Sequence, residues 1–368
     1  MADALPTPED LVTAGLYDPD APGAEDRLAA LTFLLERGAT LEHLRVAGDV
    51  GRVYSAVSLA VLWPDGGFLT VAEVAEAAAM DEAELRALRM LTGLPDPGDA
   101  ALCPPEEVEI WRTLQLGDAL FGAGPMRHML RAMGSSAATV AEAAVALALP
   151  LVPLQQVSER AYVERAHEAA QSLVVVPQAL DVLLRLHVLA AGDRLLRAET
   201  GDDDLPRFTV GFVDLVASTE RTAGLDAEEL AGSVADFARV AAGAASTHRT
   251  RLVKLLGDEA MFVDRDAARV AATVVTTVAG VSRHADLGQA RGGVATGPVL
   301  PSEGDYFGPG ANLAHRVVDE ASPGQVVADR PTAEAAGWPL DAGRTVRLRG
   351  IAEPQELHAA PAATTPAT

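Results

Sequence analysis

The stretch from Phe208 to Asp258 leaves this chain few ways to fold. It opens with Phe208-Thr-Val-Gly-Phe-Val-Asp214, an apolar run with β-branched residues that stops at an acid and then turns polar. That is the pattern of a buried strand delivering a carboxylate to its end. It closes with Leu252-Val-Lys254-Leu-Leu-Gly257-Asp258, and a second apolar run, Ala260-Met-Phe-Val263, follows at once. Strand, Gly-Asp turn, strand reads as a hairpin. Between the two segments, Asp226 to His248 carries Leu230, Val234, Phe237 and Val240–Ala241 at helical spacing. Two carboxylates, 258 − 214 = 44 residues apart in sequence, therefore come to the tips of neighbouring strands. Such a rim is a place to hold divalent cations against phosphates.

The chain continues in the same style. Asp266 to His284 reads as a helix, Gln289 to Ala295 as a strand ending in Thr296-Gly297, and Gly310 to Glu320 as a short helix. Gln325 to Ala328, Arg344 to Arg349 and Gln355 to Ala359 read as strands, with a helical turn at Thr332 to Ala336. The βαββαβ core predicts a ferredoxin-like α/β sandwich, an α+β domain over residues 207–360. Residues 1–198 read instead as an all-helical domain. Its helices are expected at Glu25 to Arg37, from Thr70 (a capping-box pattern with Glu73) to Ala79, from Asp81 to Leu91, from Pro104 to Leu116, from Pro125 to Met133 and from Thr139 to Leu147. A last long helix runs from Gln155 to about Arg197, with a break near Val176-Pro177. The acidic, Gly/Pro-containing segment 199–206 is the expected linker, and 361–368 an expected disordered tail.

Charge narrows the function. Acids outnumber bases by 52 to 29, a net charge of −23, the opposite of a general nucleic-acid binder. Any site for an anionic nucleotide must therefore supply its own cations. Leu69 to Pro95 has a helix-turn-helix look, but Asp81 to Leu91 carries no basic cluster, which favours a helical pair within a bundle. The single cysteine, Cys103, allows no intrachain disulfide and suits a reducing compartment. No signal peptide is read at the N-terminus. The apolar stretches Val53 to Trp63 and Ala143 to Leu154 are too short to span a bilayer. The expectation is a cytoplasmic protein without stable membrane insertion.

Asp214 in FVDLVAST, Lys254 with Gly257-Asp258 in VKLLGDE, and Asp305-Tyr-Phe-Gly308-Pro-Gly-Ala-Asn312-Leu-Ala-His-Arg316 resemble the signature of class III adenylyl cyclases. The resemblance covers roughly Arg207 to Ala360. It implies conversion of ATP to 3′,5′-cyclic AMP and pyrophosphate. Two Mg²⁺ or Mn²⁺ ions would be held by Asp214, Asp258 and the Leu215 carbonyl. Lys254 and Asp305 would read adenine, Lys254 donating to N1 and Asp305 accepting from the 6-amino group, with Asp305 placed in a loop. Guanine presents the opposite signs at those atoms, so the pair selects ATP. Asn312 would position the ribose and Arg316 stabilise charge on the phosphates. Arg349, before Gly350, stands where cyclases often carry a phosphate-contacting Lys. Ala217 replaces a common Gly, His315 falls at a variable position, and Gly292-Gly293 carry no assigned chemistry. In this family the metal aspartates and the other site residues come from different catalytic domains, so a homodimer with two equivalent sites is implied.

The layout also resembles two-domain bacterial cyclases with a helical regulatory half, some of them pH-responsive and autoinhibited. His43, His128, His167 and His187 lie in that half. His167 and His187, on the helix leading to the linker, are the candidate sensors. A catalytically silent nucleotide-binding regulator on the same fold is the alternative function.

Overall fold

The computed structural model describes residues 5–49, 54–151, 157–196, 205–216, 226–284 and 286–361. The chain divides into two compact units, Met1–Leu189 and Ala190–Thr368. Most of the expected linker, Ala217 and nearly all of the expected tail lie outside the described residues.

The first unit is helical. Its helices are α1 (Pro8–Thr13), α2 (Ala24–Glu36), α3 (Leu41–Asp49), α4 (Tyr54–Leu62), α5 (Val71–Ala78), α6 (Glu82–Leu91), α7 (Glu107–Phe121), α8 (Ala123–Ala148), α9 (Glu159–Leu173) and most of α10 (Val175–Leu196), whose residues from Ala190 on belong to the second unit. One core gathers α1–α4 with α9, around Leu31, Phe33, Leu34 and Leu44. A second gathers α5–α8 around Val74, Leu85, Trp111 and Leu130. The Thr70–Glu73 capping box forms as read. Two predicted helices, Pro125 to Met133 and Thr139 to Leu147, are one continuous α8. Gly134 lies in the stretch between the two predicted helices, and α8 passes Thr92 there so closely that a Cβ would collide with the Thr92 backbone. The break in the last helix falls at Val174, just ahead of the predicted point. Both arginines of α6 are committed to acids: Arg86 to Glu82 and Asp96, and the buried Arg89 to Glu107. That arrangement leaves α6 no basic face for DNA.

Among the described residues, Glu159–Gly192 is the one helical run long and apolar enough, by length and composition, to cross a membrane, with an 18-residue window of mean hydropathy 1.7. The sequence reading singled out only Val53 to Trp63 and Ala143 to Leu154; this run carries two charges, Asp181 and Arg185. In the structure these two charges pair at 3.0 Å.

The second unit is built on a seven-stranded sheet. Its elements are β1 (Arg207–Leu215), α11 (Ala227–His248), β2 (Arg251–Leu256), β3 (Glu259–Asp264), α12 (Ala267–Ser282), β4 (Ala290–Pro298), β5 (Leu300–Ser302), β6 (Asp305–Phe307), α13 (Pro309–Asp319), β7 (Val326–Asp329), α14 (Arg330–Ala335), β8 (Arg344–Val346) and β9 (Gln355–Ala359). The strand order is β2-β3-β1-β4-β7-β9-β8, so the βαββαβ core has the ferredoxin-like arrangement the sequence predicts. The strand read as Arg344 to Arg349 is shorter than expected, ending at Val346, so Arg349 lies in a turn beyond β8; Gln355–Ala359 has the bounds read.

Period-two alternation sorts β1 onto two faces. Val213 and Leu215 meet α11 and α12. Phe208, Val210 and Phe212 meet α13. Asp214 has the parity of the second set, which puts it on the face that α13 covers. On β4, Gly293 faces the same helix, and a Cβ there would collide with the Val318 backbone. Gly293 therefore has a packing role: it lets α13 lie directly on the strand, while Gly292 faces Val274 of α12 on the other side. Gly293→Ala is expected to destabilise this unit by about 1–3 kcal/mol, because neither backbone can yield as a side chain would. A urea-unfolding midpoint equal to that of the parent chain would contradict this.

Candidate active site

The expected hairpin forms, with Gly257 at φ +61° in its turn, the left-handed region where glycine is unstrained. The turn is tied to the end of β1, since the Leu215 N–H donates to the Asp258 carbonyl at 3.0 Å. Backbone pairing thus brings Asp214, Leu215 and Asp258 to one rim. Beside them a cavity of about 200 Å³ is lined by Asp214, Leu215, Val216, Arg291, Ala321 and Pro323.

Strand register adds two residues that sequence reasoning missed. Asp214 stands opposite Glu259 on one side and Arg291 on the other. Arg291 donates from Nε and a terminal nitrogen to Asp214 Oδ2, at 3.0 and 2.8 Å. It also donates to the Asp319 carbonyl at 3.3 Å, joining β1 to the end of α13. Burial pushes the Glu259 carboxyl above the usual carboxylate range; the His315 imidazole opposes this, while Asp214 and Asp258 add to it. His315 lies edge-on to Phe212 at 5.4 Å and 3.8 Å from Glu259. A lone Arg inside a Gly-rich strand was the signal available for Arg291, but its partner depends on register.

The donor set suits a hard divalent cation. Two carboxylates and a carbonyl are oxygen ligands. Among the described residues no three His, Cys, Asp or Glu side chains form a closed cage. An open carboxylate pair is what Mg²⁺ uses when substrate phosphates complete its coordination.

Lys254, the only lysine in the chain, forms an ion pair with Asp305. A bulge puts it there. The β2–β3 register slips between Leu252 and Lys254, so Leu252 and Leu255 both pack toward α11 and α12. Val253 packs on the opposite side, and Lys254 pairs with Met261, whose side chain belongs to the α13 face. Strict alternation would have put Lys254 on the face of Leu252. Asp305 is not in a loop as expected. It starts β6, in a two-stranded hairpin with β5, and the Tyr306 N–H donates to its Oδ1 at 2.8 Å. Too few residues alternate there for the pattern to be read.

Helix α13 buries Ala311, Ala314, Val317 and Val318, which leaves Asn312 exposed and Arg316 half-exposed on its outer side. Arg316 lies 3.8 Å from Asp319. Arg349 is exposed in its turn. In the helical unit, His43 is fully buried and acts as a cap: its Nδ1 accepts from the Thr40 N–H at 3.0 Å, and its Nε2 lies 2.8 Å from the Trp63 carbonyl. His187 is exposed on α10. His167 is buried on α9, edge-on to Phe33, with no hydrogen-bond partner for Nε2 among the described residues.

Burial, reinforced by Arg37, pushes His167 below the ordinary imidazole range of about 6.5. Below that pH the unfolded chain takes a proton that the folded chain resists. Stability from this residue is therefore present above pH 6.5 and is lost as pH falls toward the folded value. Urea midpoints on either side of that pH should show the loss, and His167→Gln should flatten it.

No protein-family model matches the chain. An uncharacterised protein of Mycobacterium tuberculosis is 29% identical over 362 residues, spanning 96% of this chain and 94% of that protein. A pH-sensitive adenylate cyclase of Mycobacterium tuberculosis is 27% identical over 369 residues, spanning 89% and 85%. An adenylate cyclase of Streptomyces coelicolor is 29% identical over 282 residues, spanning 74% and 66%. By these relatives, the chain is similar over most of its length to actinobacterial adenylate cyclases, with an α+β unit following a helical N-terminal half in sequence.

Proposed function

We propose that the protein is an adenylate cyclase that converts ATP to 3′,5′-cyclic AMP and pyrophosphate. The observation that carries this reading is the pairing of Asp214 and Asp258 at one rim, with Lys254 on the same sheet held by Asp305 of the β5–β6 hairpin. Two acids for cations and one donor–acceptor pair for a base edge are what a nucleotide site of this kind needs. Asp214 and Asp258, with the Leu215 carbonyl, would hold Mg²⁺ or Mn²⁺. The bound ions supply Lewis-acid polarisation of the phosphates.

Lys254 donates to adenine N1 and Asp305 accepts from the 6-amino group. Asn312 orients the ribose. The 3′-oxygen attacks the α-phosphorus in line, the bond to the bridging oxygen breaks, and pyrophosphate leaves. Arg316 stabilises the charge that develops, with Arg349 on the outer phosphates. Arg291 holds Asp214 in place.

The active form in this reading is a homodimer. The outward side of α13 and the exposed apolar residues Leu230, Val234, Leu256, Leu300 and Phe307 support a second copy covering this unit. The helical half acts as its regulator, and the relative named pH-sensitive supports pH as the signal. The test is turnover of ATP and GTP with Mn²⁺ by the full-length protein, beside sedimentation. Cyclic AMP formed from ATP by the dimer, with no cyclic GMP from GTP, is the expected result. An active, strictly monomeric protein would sink the shared site. Nucleotide binding without any product would favour a silent regulator on the same fold.

A further inference from the structure

A second cation cluster sits at the opposite end of β1. Phe208 is the second residue of the strand and Asp214 the last but one, so the two are about 20 Å apart at the rise of an extended chain. Around Phe208 a cavity of about 460 Å³ is lined by four arginines, Arg249, Arg251, Arg265 and Arg269, against two carboxylates, Asp264 and Asp266. The excess is two positive charges, in a chain whose net charge is −23.

The charges are not all matched within the cavity. Asp266 pairs with Arg269 at 3.2 Å and caps α12, accepting from the Arg269 N–H at 3.1 Å. Asp264 accepts from the Asp266 N–H at 2.9 Å. Arg251 donates to the Gly304 carbonyl at 2.7 Å and leans over the Tyr306 ring. Arg265 lies over the Phe208 ring at 4.7 Å, and its Nε is buried without a hydrogen-bond partner among the described residues. Arg249 occupies the turn before β2 at φ +57°, a region a bulky side chain seldom takes. A buried guanidinium N–H left unmatched is costly, and arginines kept only for solubility would spread apart.

We propose that this cavity binds a compact phosphate group, gripped by Arg249 and Arg265 and flanked by Arg251 and Arg269. Planar guanidinium forks match phosphate oxygens, and a dianion balances the excess of two charges where a single carboxylate does not. The site is separate from the catalytic rim and does not depend on the proposed activity. Arg251 nevertheless holds the carbonyl of Gly304, the residue before Asp305, so the cavity lies one hydrogen bond from the turn that leads into Lys254's partner.

The experiment is calorimetric titration of the full-length protein with inorganic phosphate in metal-free buffer. One saturable site per chain is expected, weakened about tenfold or more by Arg249→Gln and by Arg265→Gln, and unchanged by Arg316→Gln or Arg349→Gln. Arg249 is exposed, so its variant keeps the test informative even if Arg265→Gln fails to fold. Methyl phosphate binding as well as inorganic phosphate would mark a site for the terminal phosphate of a larger molecule; preference for the inorganic ion would mark free phosphate. The proposal is overturned by the absence of saturable binding to folded protein, by equal competition from acetate, or by a loss confined to Arg316→Gln.

Discussion

Asp214→Ala is expected to abolish cyclic AMP formation, with kcat falling about 10³-fold or more, the upper range for removing a single group that stabilises the transition state. The fold should survive. Asp214 sits half-exposed at a strand end, and the backbone pairs from β1 to β3 and β4 do not involve its side chain. The substitution leaves Arg291 without the carboxylate it grips, and that guanidinium is 28% exposed, so water compensates it. Asp214→Asn keeps the shape and should be nearly as inactive, since the loss is of charge. Chelation of divalent ions should silence the parent chain completely and reversibly. A folded Asp214→Ala protein with parental turnover would remove the metal role from this rim.

Lys254→Met is expected to remove the preference for ATP. The parent site presents a donor and an acceptor, so GTP leaves both unmatched, and discrimination of about 10⁴ in kcat/KM is the scale for a site built on such pairs. Without the ammonium, Asp305 remains a lone acceptor, and the two nucleotides should come within about tenfold of each other. Lys254→Glu sets two acids face to face and should depress ATP turnover further. The solitary lysine offers an independent readout. Side-chain amine modification of this chain can occur only at position 254, and saturating ATP should protect it. ATP that affords no protection would move the base-reading site elsewhere.

Much of the site was readable because it depends on local signals. An apolar run stopping at an acid marked Asp214, and Gly-Asp between two apolar runs marked the hairpin. The spacing from Gly308 to Arg316 marked a helix start whose Pro and apolar positions agree with α13. Arg291 and Glu259 were not readable, because a cross-strand partner is set by register over tens of residues. The same holds for the Lys254 face, which a one-residue bulge at Val253 reverses, and for Asp305, whose strand is too short to show alternation. In α8, the stretch read as a gap between Met133 and Thr139 is continuous helix, and its Gly134 packs on the Thr92 backbone, a contact between segments distant in sequence.

The sequence by itself determined which residue types reach the rim and in what order: strand, helix, hairpin, strand, with Asp214 and Asp258 at their ends. That information is carried by hydrophobic periodicity and turn chemistry, which act over a few residues. Only the tertiary structure decided how those residues meet. It placed Arg291 on Asp214, turned Lys254 toward Asp305, seated α13 on the bare backbone of Gly293, and gathered four arginines at the far end of β1. Each of these rests on a pairing between segments distant in sequence, which one strand's or one helix's pattern does not encode.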